Sequence, residues 1–194
     1  MREFVYYSKS AVTSGNLIRE NLMEAGRIDI AINVIISAFF LSHDVRKDVK
    51  LHLIFEGRPN PPIHILIEYN KELSISKKDI AGLIKRILFK APKEKNIIVN
   101  AFPGCYVEKK SFEVLIKELN EQGKNIFLLD KKGEDIRNKR FEGNEVFVLG
   151  DHEGFPYEKR HLLKRIEKIS VSPKMLFASH VVTIVHNELD RQEI

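Results

Sequence analysis

One cysteine, Cys105, stands in a chain of 194 residues. That excludes an internal disulfide and any zinc site built on cysteine. No apolar run approaches the roughly 20 residues of a membrane-spanning helix. The longest, over residues 30–41, is interrupted by Asn33 and Ser37. Repeats and low-complexity tracts are missing. Neither G-x-G-x-x-G nor a P-loop occurs, which disfavours a Rossmann dinucleotide site and an NTPase. Without G-x-S-x-G a serine hydrolase has no support. The opening "MREFVYY" lacks the layout of a secretory signal, so the expected compartment is the cytoplasm.

What is present is an ordinary globular composition, 43% hydrophobic and 30% charged, able to bury a core in a single domain. The net charge of +5 and pI near 9.2 are compatible with nucleic acid without requiring it. The positive residues gather at 71–95 ("KELSISKKDIAGLIKRILFKAPKEK") and at 159–168 ("KRHLLKRIEK"). Each cluster reads either as a solvated helix face or as a phosphate-binding surface.

Periodicity predicts a first strand over 3–7 and a helix over 27–41, whose Ile28, Ile32, Ile35, Ile36, Phe39 and Phe40 recur at three- and four-residue steps. Strands at 49–55 and 63–69 flank "GRPNPP", where prolines stop a ladder, so the two form a hairpin. A helix follows over 78–89. Pro103-Gly104 is a turn. Ser111 caps the next helix, with Val114, Leu115, Ile116 and Leu119 inward and Gly123 ending it. Short apolar strands at 125–129 and 146–149 separated by helices indicate an α/β fold with a mostly parallel sheet covered by helices. Residues 175–191 contain "VVTIV", a strand by propensity. Their length and their apolar spacing select a helix, entered through Ser172-Pro173.

Ligands of open α/β sheets sit beyond the carboxyl ends of strands. Three segments qualify: 129–133 ("LDKKG"), 149–154 ("LGDHEG") and 169–173 ("ISVSP"). Gly150 and Gly154 serve either a tight turn or the close approach of a ligand to the backbone. His152 lies between Asp151 and Glu153 in sequence, but loop neighbours diverge and do not make a ligand set. His180 and His186 are six apart and on a helix face different ways. No metal site is expected.

Taken together in order, "GRID", "AFFLSHDVRKDV", "PNPP", "GKNIFLL", "GED", "VFVLGDHEGFP", "ISVSPKMLFASHVVTIVHNELDR" and the opening "MREFVYY" resemble the archaeal-type tRNA pseudouridine N1-methyltransferases of the SPOUT class, which act at position 54. The likeness spans nearly the whole chain. It is densest over residues 25–62 and 146–191. The rRNA pseudouridine N1-methyltransferases of small-subunit assembly are more distant relatives. The resemblance implies an α/β knot with a C-terminal deep trefoil, a known exception to the avoidance of knots. It implies one domain over residues 1–194, with a substrate-side half (1–95) carrying the hairpin and a cofactor-binding knot half (96–194). It also implies a homodimer, tRNA as partner, and S-adenosylmethionine held in the knot by the backbone of three loops.

Carried over by motif, the cofactor contacts are Leu129, Leu149 and Gly150, the run Val171, Ser172, Pro173, Lys174, Met175 and Leu176, and Val181. Apart from Val181, these lie in the same three loops that the strand ends select. Val181 departs from the family, which usually has cysteine there; a backbone or apolar contact survives that change. Methyl transfer to N1 needs the two partners held in line and the base relieved of a proton. It also needs cations near the base carbonyls. The resemblance points to Arg27, Arg46 and Asp48 for these roles. The alternatives are a helix-start pair of Arg27 with Asp29 and a surface pair of Arg46 with Asp48. His43, Lys159, Arg160, Lys164 and Arg165 are candidate RNA contacts. An inactive RNA-binding member and a small-molecule transferase using the same pocket are the competing readings.

Overall fold

The first strand, β1 (Arg2–Ser8), is buried along its whole length. Its alternate residues feed two cores: Phe4 and Tyr6 join one, Val5 and Tyr7 the other. A strand covered on both faces belongs at the centre of a sheet, and that is where it lies. The computed structural model describes residues 1–72 and 76–194; residues 73–75 of the first basic cluster lie outside that description. After β1 come α1 (Ile28–Phe39), β2 (Val49–Phe55), β3 (Ile63–Glu68), α2 (Ile80–Phe89), β4 (Ile98–Phe102), β5 (Cys105–Glu108), α3 (Phe112–Glu121), β6 (Asn125–Asp135), β7 (Glu145–Gly150), α4 (Arg160–Leu163), β8 (Glu167–Ser170) and α5 (Ala178–Arg191).

The eight strands form one sheet in the order β4-β5-β3-β2-β1-β7-β6-β8. From β2 to β8 the pairs are parallel. From β2 to β4 they are antiparallel. Helices α1, α2 and α5 cover one face, and α3 with the α4 turn covers the other. The expected α/β class, the β2–β3 hairpin and the helical state of the last segment agree with this arrangement. The strands β4 and β5 around Pro103-Gly104 were not anticipated: β5 pairs with β3 and extends the first half of the sheet.

Three local expectations change. Val114 is 47% exposed, because Leu115, Ile116 and Leu119 already fill the inward stripe of α3. The last helix starts at Ala178, five residues beyond Ser172-Pro173, and the intervening chain runs over the surface. Strand β6 continues well past Leu129. It pairs with β8 at Leu129↔Ile169 and again at Glu134↔Ile169. The chain between those contacts is thrown out as a bulge around β8. Gly133 sits where the loop returns, and a Cβ there would lie 2.6 Å from three backbone atoms of Ile169.

On the α3 face a buried polar row crosses the sheet. Glu3 and His52 are 2.9 Å apart, His52 Nδ1 and His64 Nε2 2.9 Å, and His64 Nδ1 and Glu108 2.9 Å. Lys124 meets Glu3 at one end and Lys110 meets Glu108 at the other, each at 2.8 Å. Burial opposes ionisation of Glu3, but the bonds from His52 and Lys124 outweigh it and bring its pKa down to about 2. Among the described residues no helix is long and apolar enough to cross a membrane.

Candidate functional site

The parallel strands β1, β7 and β6 end together, and beyond their carboxyl ends lies a cavity of about 820 Å³. Three chain segments wall it: the β6 bulge (Leu129, Asp130, Lys131), the turn after β7 (Leu149–Phe155), and the run into α5 (Met175–Ala178, then His180 and Val181). Ile30 of α1 and Arg160, Lys164 and Lys168 near α4 complete it. The lining is mostly apolar, as expected of a small-molecule site, with Asp130, Lys131, Asp151, Glu153, Arg160, Lys164 and Lys168 as its charged residues.

The turn after β7 is held from beneath. Asp151, with its side chain fully buried, accepts a hydrogen bond from Ser8 Oγ at 2.6 Å and one from the Glu153 amide at 2.9 Å. Its own amide donates to Tyr7 O at 3.0 Å. Asp151 is thus a shaping residue tied to β1. Gly150 brings backbone to the cavity wall: a Cβ there would meet Gly154 at 3.1 Å, and Gly154 itself has φ +69°. In the bulge Asp130 is held ionised, chiefly by Lys168 at 2.7 Å.

Arg27 stands at the mouth of this region. It caps α1 in the left-handed conformation, φ 60° and ψ 40°, directly after Gly26 at φ +68°. Two successive left-handed residues, one of them an arginine, are uncommon and cost free energy. They aim the guanidinium at Asp29, 3.0 and 2.9 Å away in a two-point contact. Arg27 raises its partner's preference for the charged form and keeps the Asp29 carboxyl below its usual range, with His152 adding to the effect. Asp151 and Tyr6 in turn act on Arg27. The pair is therefore near the turn after β7, although neither residue lines the cavity itself. Tyr6 is fully buried, and among the described residues its hydroxyl has no hydrogen-bond partner.

The structure brings Leu129, Leu149, Gly150, Met175, Leu176 and Val181 to the cavity. Val171, Ser172, Pro173 and Lys174 do not line it; they form the turn leading to Met175, with Ser170 Oγ donating to Ser172 O and the Lys174 amide to Ser172 Oγ. Of the cationic candidates Arg160 and Lys164 line the cavity, and Arg165 is exposed. Lys159 is a correction. It is 6% exposed and its ammonium is shared between Glu56 at 2.8 Å and Glu113 at 2.7 Å, beside the Tyr7 and Phe112 rings. A lysine so enclosed has no free charge for a phosphate.

Arg46 and Asp48 lie apart from the cavity of their own chain. They precede β2 and sit at the amino ends of the strands, the edge opposite the cavity, together with exposed His43. They do not pair with each other. Arg46 makes a two-point contact with Asp190 at the end of α5, 3.0 and 2.6 Å. Asp48 lies 3.2 Å from Arg2, which also reaches Asp190 at 2.6 Å. A seven-residue strand spans about 23 Å, so within one chain these groups cannot act with Arg27. Asp130, Lys131, Phe177 and His180 line the cavity without having been singled out. Asp130 and Lys131 belong to the strand-end segment 129–133, whereas Phe177 and His180 lie beyond the segment 169–173 and carried no local signal. Among the described residues no group of three histidine, cysteine or acidic side chains is placed to hold a metal ion.

A protein family described as "Putative SAM-dependent RNA methyltransferase" matches residues 1–194. The tRNA (pseudouridine(54)-N(1))-methyltransferase of Methanocaldococcus jannaschii is 37% identical over 203 residues, spanning 100% of this chain and 98% of that protein. The protein of the same name from Methanococcus aeolicus is 37% identical over 205 residues, spanning 100% of both. Among solved structures, Archaeoglobus fulgidus Nep1 bound to S-adenosylhomocysteine superposes with a TM-score of 0.65 at 15% identity, covering 99% of this chain and 98% of that one. At that identity the last likeness speaks for the fold alone, the α/β architecture with a mostly parallel sheet described above.

Proposed function

This chain belongs to the S-adenosylmethionine-dependent RNA methyltransferase family that includes the tRNA (pseudouridine(54)-N(1))-methyltransferases, and on that premise we propose that it methylates N1 of pseudouridine at position 54 of tRNA. The observation that carries the reading to this chain's own residues is the cavity. Its lining is mostly apolar, two of its walls fall on the strand-end segments 129–133 and 149–154, the third begins at Met175 just past the segment 169–173, and Gly150 and Gly154 let the turn after β7 close tightly on itself. A flexible, partly apolar ligand such as S-adenosylmethionine fits walls of that kind. Leu149, Gly150, Leu129, Met175, Leu176 and Val181 would hold it, with the 171–174 turn setting the position of Met175. Bound there, the cofactor supplies an electrophilic methyl that needs no metal.

The chain's residues then have to present the base and manage its charge. Arg27, always cationic, is placed to bind a base carbonyl as negative charge grows on it. Asp29, held ionised by Arg27, is a weak proton acceptor; its role is to accept a hydrogen bond from the imide N3–H and fix the ring face, while the N1 proton leaves to solvent water as N1 takes the methyl. Arg160 and Lys164 at the rim are placed for flanking phosphates, with Arg165 beside them. Binding of S-adenosylmethionine by calorimetry and methyl transfer to a pseudouridine-containing tRNA test the proposal directly. Arg27→Ala is expected to lose turnover about a hundredfold while keeping cofactor affinity. Normal turnover in that variant would remove Arg27 from the reaction.

We read the molecule as a cytoplasmic homodimer with a C-terminal trefoil knot. The clasp of β6 around Ile169 of β8 supports the knot. The partly exposed Ile32 and Ile36 of α1 and Ile184 of α5, with Met175 at 80% and Phe177 at 75% exposure, supply an apolar face for a second copy. Packed antiparallel across that face, each subunit brings its Arg46–Asp48 edge, and His43, to the partner's cavity. On this reading Asp48→Ala and Gly150→Val chains are each inactive, but mixed dimers regain turnover because one site in each is intact. If mixing restores nothing, Arg46 and Asp48 serve only the Arg2–Asp190 clasp.

A further inference from the structure

We infer that the basic arm over residues 77–95 is a second docking face for the RNA backbone, contacting substrate outside the target loop. The inference rests on the RNA substrate proposed above. The arm holds seven lysines and arginines against Asp79 and Glu94, an excess of five, and the formal charge of the entire chain is +5. The rest of the molecule therefore sums to zero. An excess confined to about a tenth of the chain differs from a generally solvated surface, and it is the electrostatic footprint of a polyanion partner.

The local structure directs this charge outward. Helix α2 buries Ile80, Leu83, Ile84, Ile87 and Leu88, which leaves its cations on the other side. Two of them are fixed in place: Lys85 donates to Ile18 O at 3.0 Å, and Lys90 to Ala101 O at 2.5 Å while lying 4.1 Å from the centre of the Phe102 ring. Lys78, Lys93 and Lys95 are exposed and make no ion pair among the described residues. Beside them Phe89 is 54% exposed and Ile98 64%. Cations interleaved with flat apolar surface suit a sugar-phosphate backbone with bases or riboses against it.

The placement fits a substrate longer than one loop. The carboxyl end of α2 packs against Gly15, in the segment that leaves the carboxyl end of β1. The end of the arm that carries Lys93 and Lys95 thus lies on the cavity's edge of the sheet, while its start, where Lys77 lies over the Phe40 ring at the end of α1, lies toward the opposite edge. Strands β5 and β7 are four steps apart in the sheet order, about 19 Å at the usual spacing. A nucleic-acid helix laid along that edge touches both.

The test is the triple variant Lys78→Gln, Lys93→Gln, Lys95→Gln, using a full-length tRNA transcript in filter binding over a range of salt. The variant is expected to bind about tenfold more weakly, with a log–log salt slope shallower by about 2 to 3, since each lost phosphate contact removes about 0.7 to 0.9. Cofactor affinity stays the same, and a short stem-loop holding only the target base is bound equally by both proteins. Wild-type affinity and slope in the variant would overturn the inference. So would a stem-loop weakened as much as the full tRNA. Binding is read without turnover, so a chain that grips tRNA through this arm but never methylates it would sink the reaction and leave the docking face standing.

Discussion

Gly133→Ala is expected to cost about 3 kcal/mol of folding stability, although it adds a single carbon. Glycine-to-alanine changes usually stabilise by restricting the unfolded chain, where the native backbone admits a Cβ. At Gly133 the new carbon would lie 2.6 Å from the amide nitrogen, Cα and carbonyl carbon of Ile169. All three are backbone, and Ile169 is fully buried and paired on both sides of the bulge. Neither partner can yield by rotating a side chain. Relief requires β8 to move away from β6 and to give up one of the two pairings that close the loop around it. The Asp130–Lys131 wall of the cavity belongs to the same loop, so cofactor affinity falls with stability. Gly123→Ala is the control: φ there is +73° but nothing stands within 4 Å, and the cost is the conformational one of about 1 kcal/mol. Urea unfolding of the two variants beside the natural protein settles it. An unchanged midpoint for Gly133→Ala would show that the clasp is not close-packed.

The contrast between these glycines marks what a sequence discloses. Apolar spacing located α1, α2, α3 and α5 to within a few residues, because each buries one stripe and that stripe is written in the residue order. The strand-end rule found the cavity, since strands β6 and β7 are short apolar runs that stop at glycine or charge. The double pairing of Ile169 depends instead on two segments 35 to 40 residues apart meeting in space, and no local pattern records it. The β4–β5 hairpin was hidden for a different reason. Ile98 and Asn100 are exposed on an edge strand, so the alternation that signals a half-buried strand is weak there. Lys159 misled because it is one cation in a basic run, and only the approach of Glu56 and Glu113 from other elements draws it inside. Spacing offers Arg46 and Asp48 to each other as a surface pair, but their partners within the chain, Asp190 and Arg2, come from its two ends.

The fold also carries a pH limit set by two buried histidines, and the protein is expected to lose on the order of 5 kcal/mol of stability between pH 6.5 and pH 4. His186 is 3% exposed. Its Nε2 lies 3.1 Å from Ala38 O and its Nδ1 3.3 Å from an Arg2 nitrogen. The carbonyl can only accept and the guanidinium can only donate, so the ring is neutral with its proton on Nε2. A second proton would have to sit against Arg2. Burial, reinforced by Arg46 and Arg2, takes its pKa down to about 3. His64, in the polar row, is brought to about 4, first by burial and then by His52. Both folded values lie below the ordinary imidazole value near 6.5. The unfolded chain therefore binds more protons than the native state once pH drops below that value. Stability is full above about pH 6.5 and declines through the interval to the folded values, at about 1.4 kcal/mol per pH unit for each ring. Glu3, with a folded value of about 2, extends the decline below pH 4.5 in the same sense. Against a typical total of 5–15 kcal/mol, two rings are enough to bring acid unfolding near pH 4. Urea midpoints at pH 7, 5.5 and 4.5 measure the slope. His186→Gln keeps a donor for Ala38 and an acceptor for Arg2 but cannot be protonated, so it should remove close to half of the pH dependence above pH 4.5. A midpoint flat with pH in the natural protein, or a slope unchanged in His186→Gln, would show that these rings are already charged in the native state.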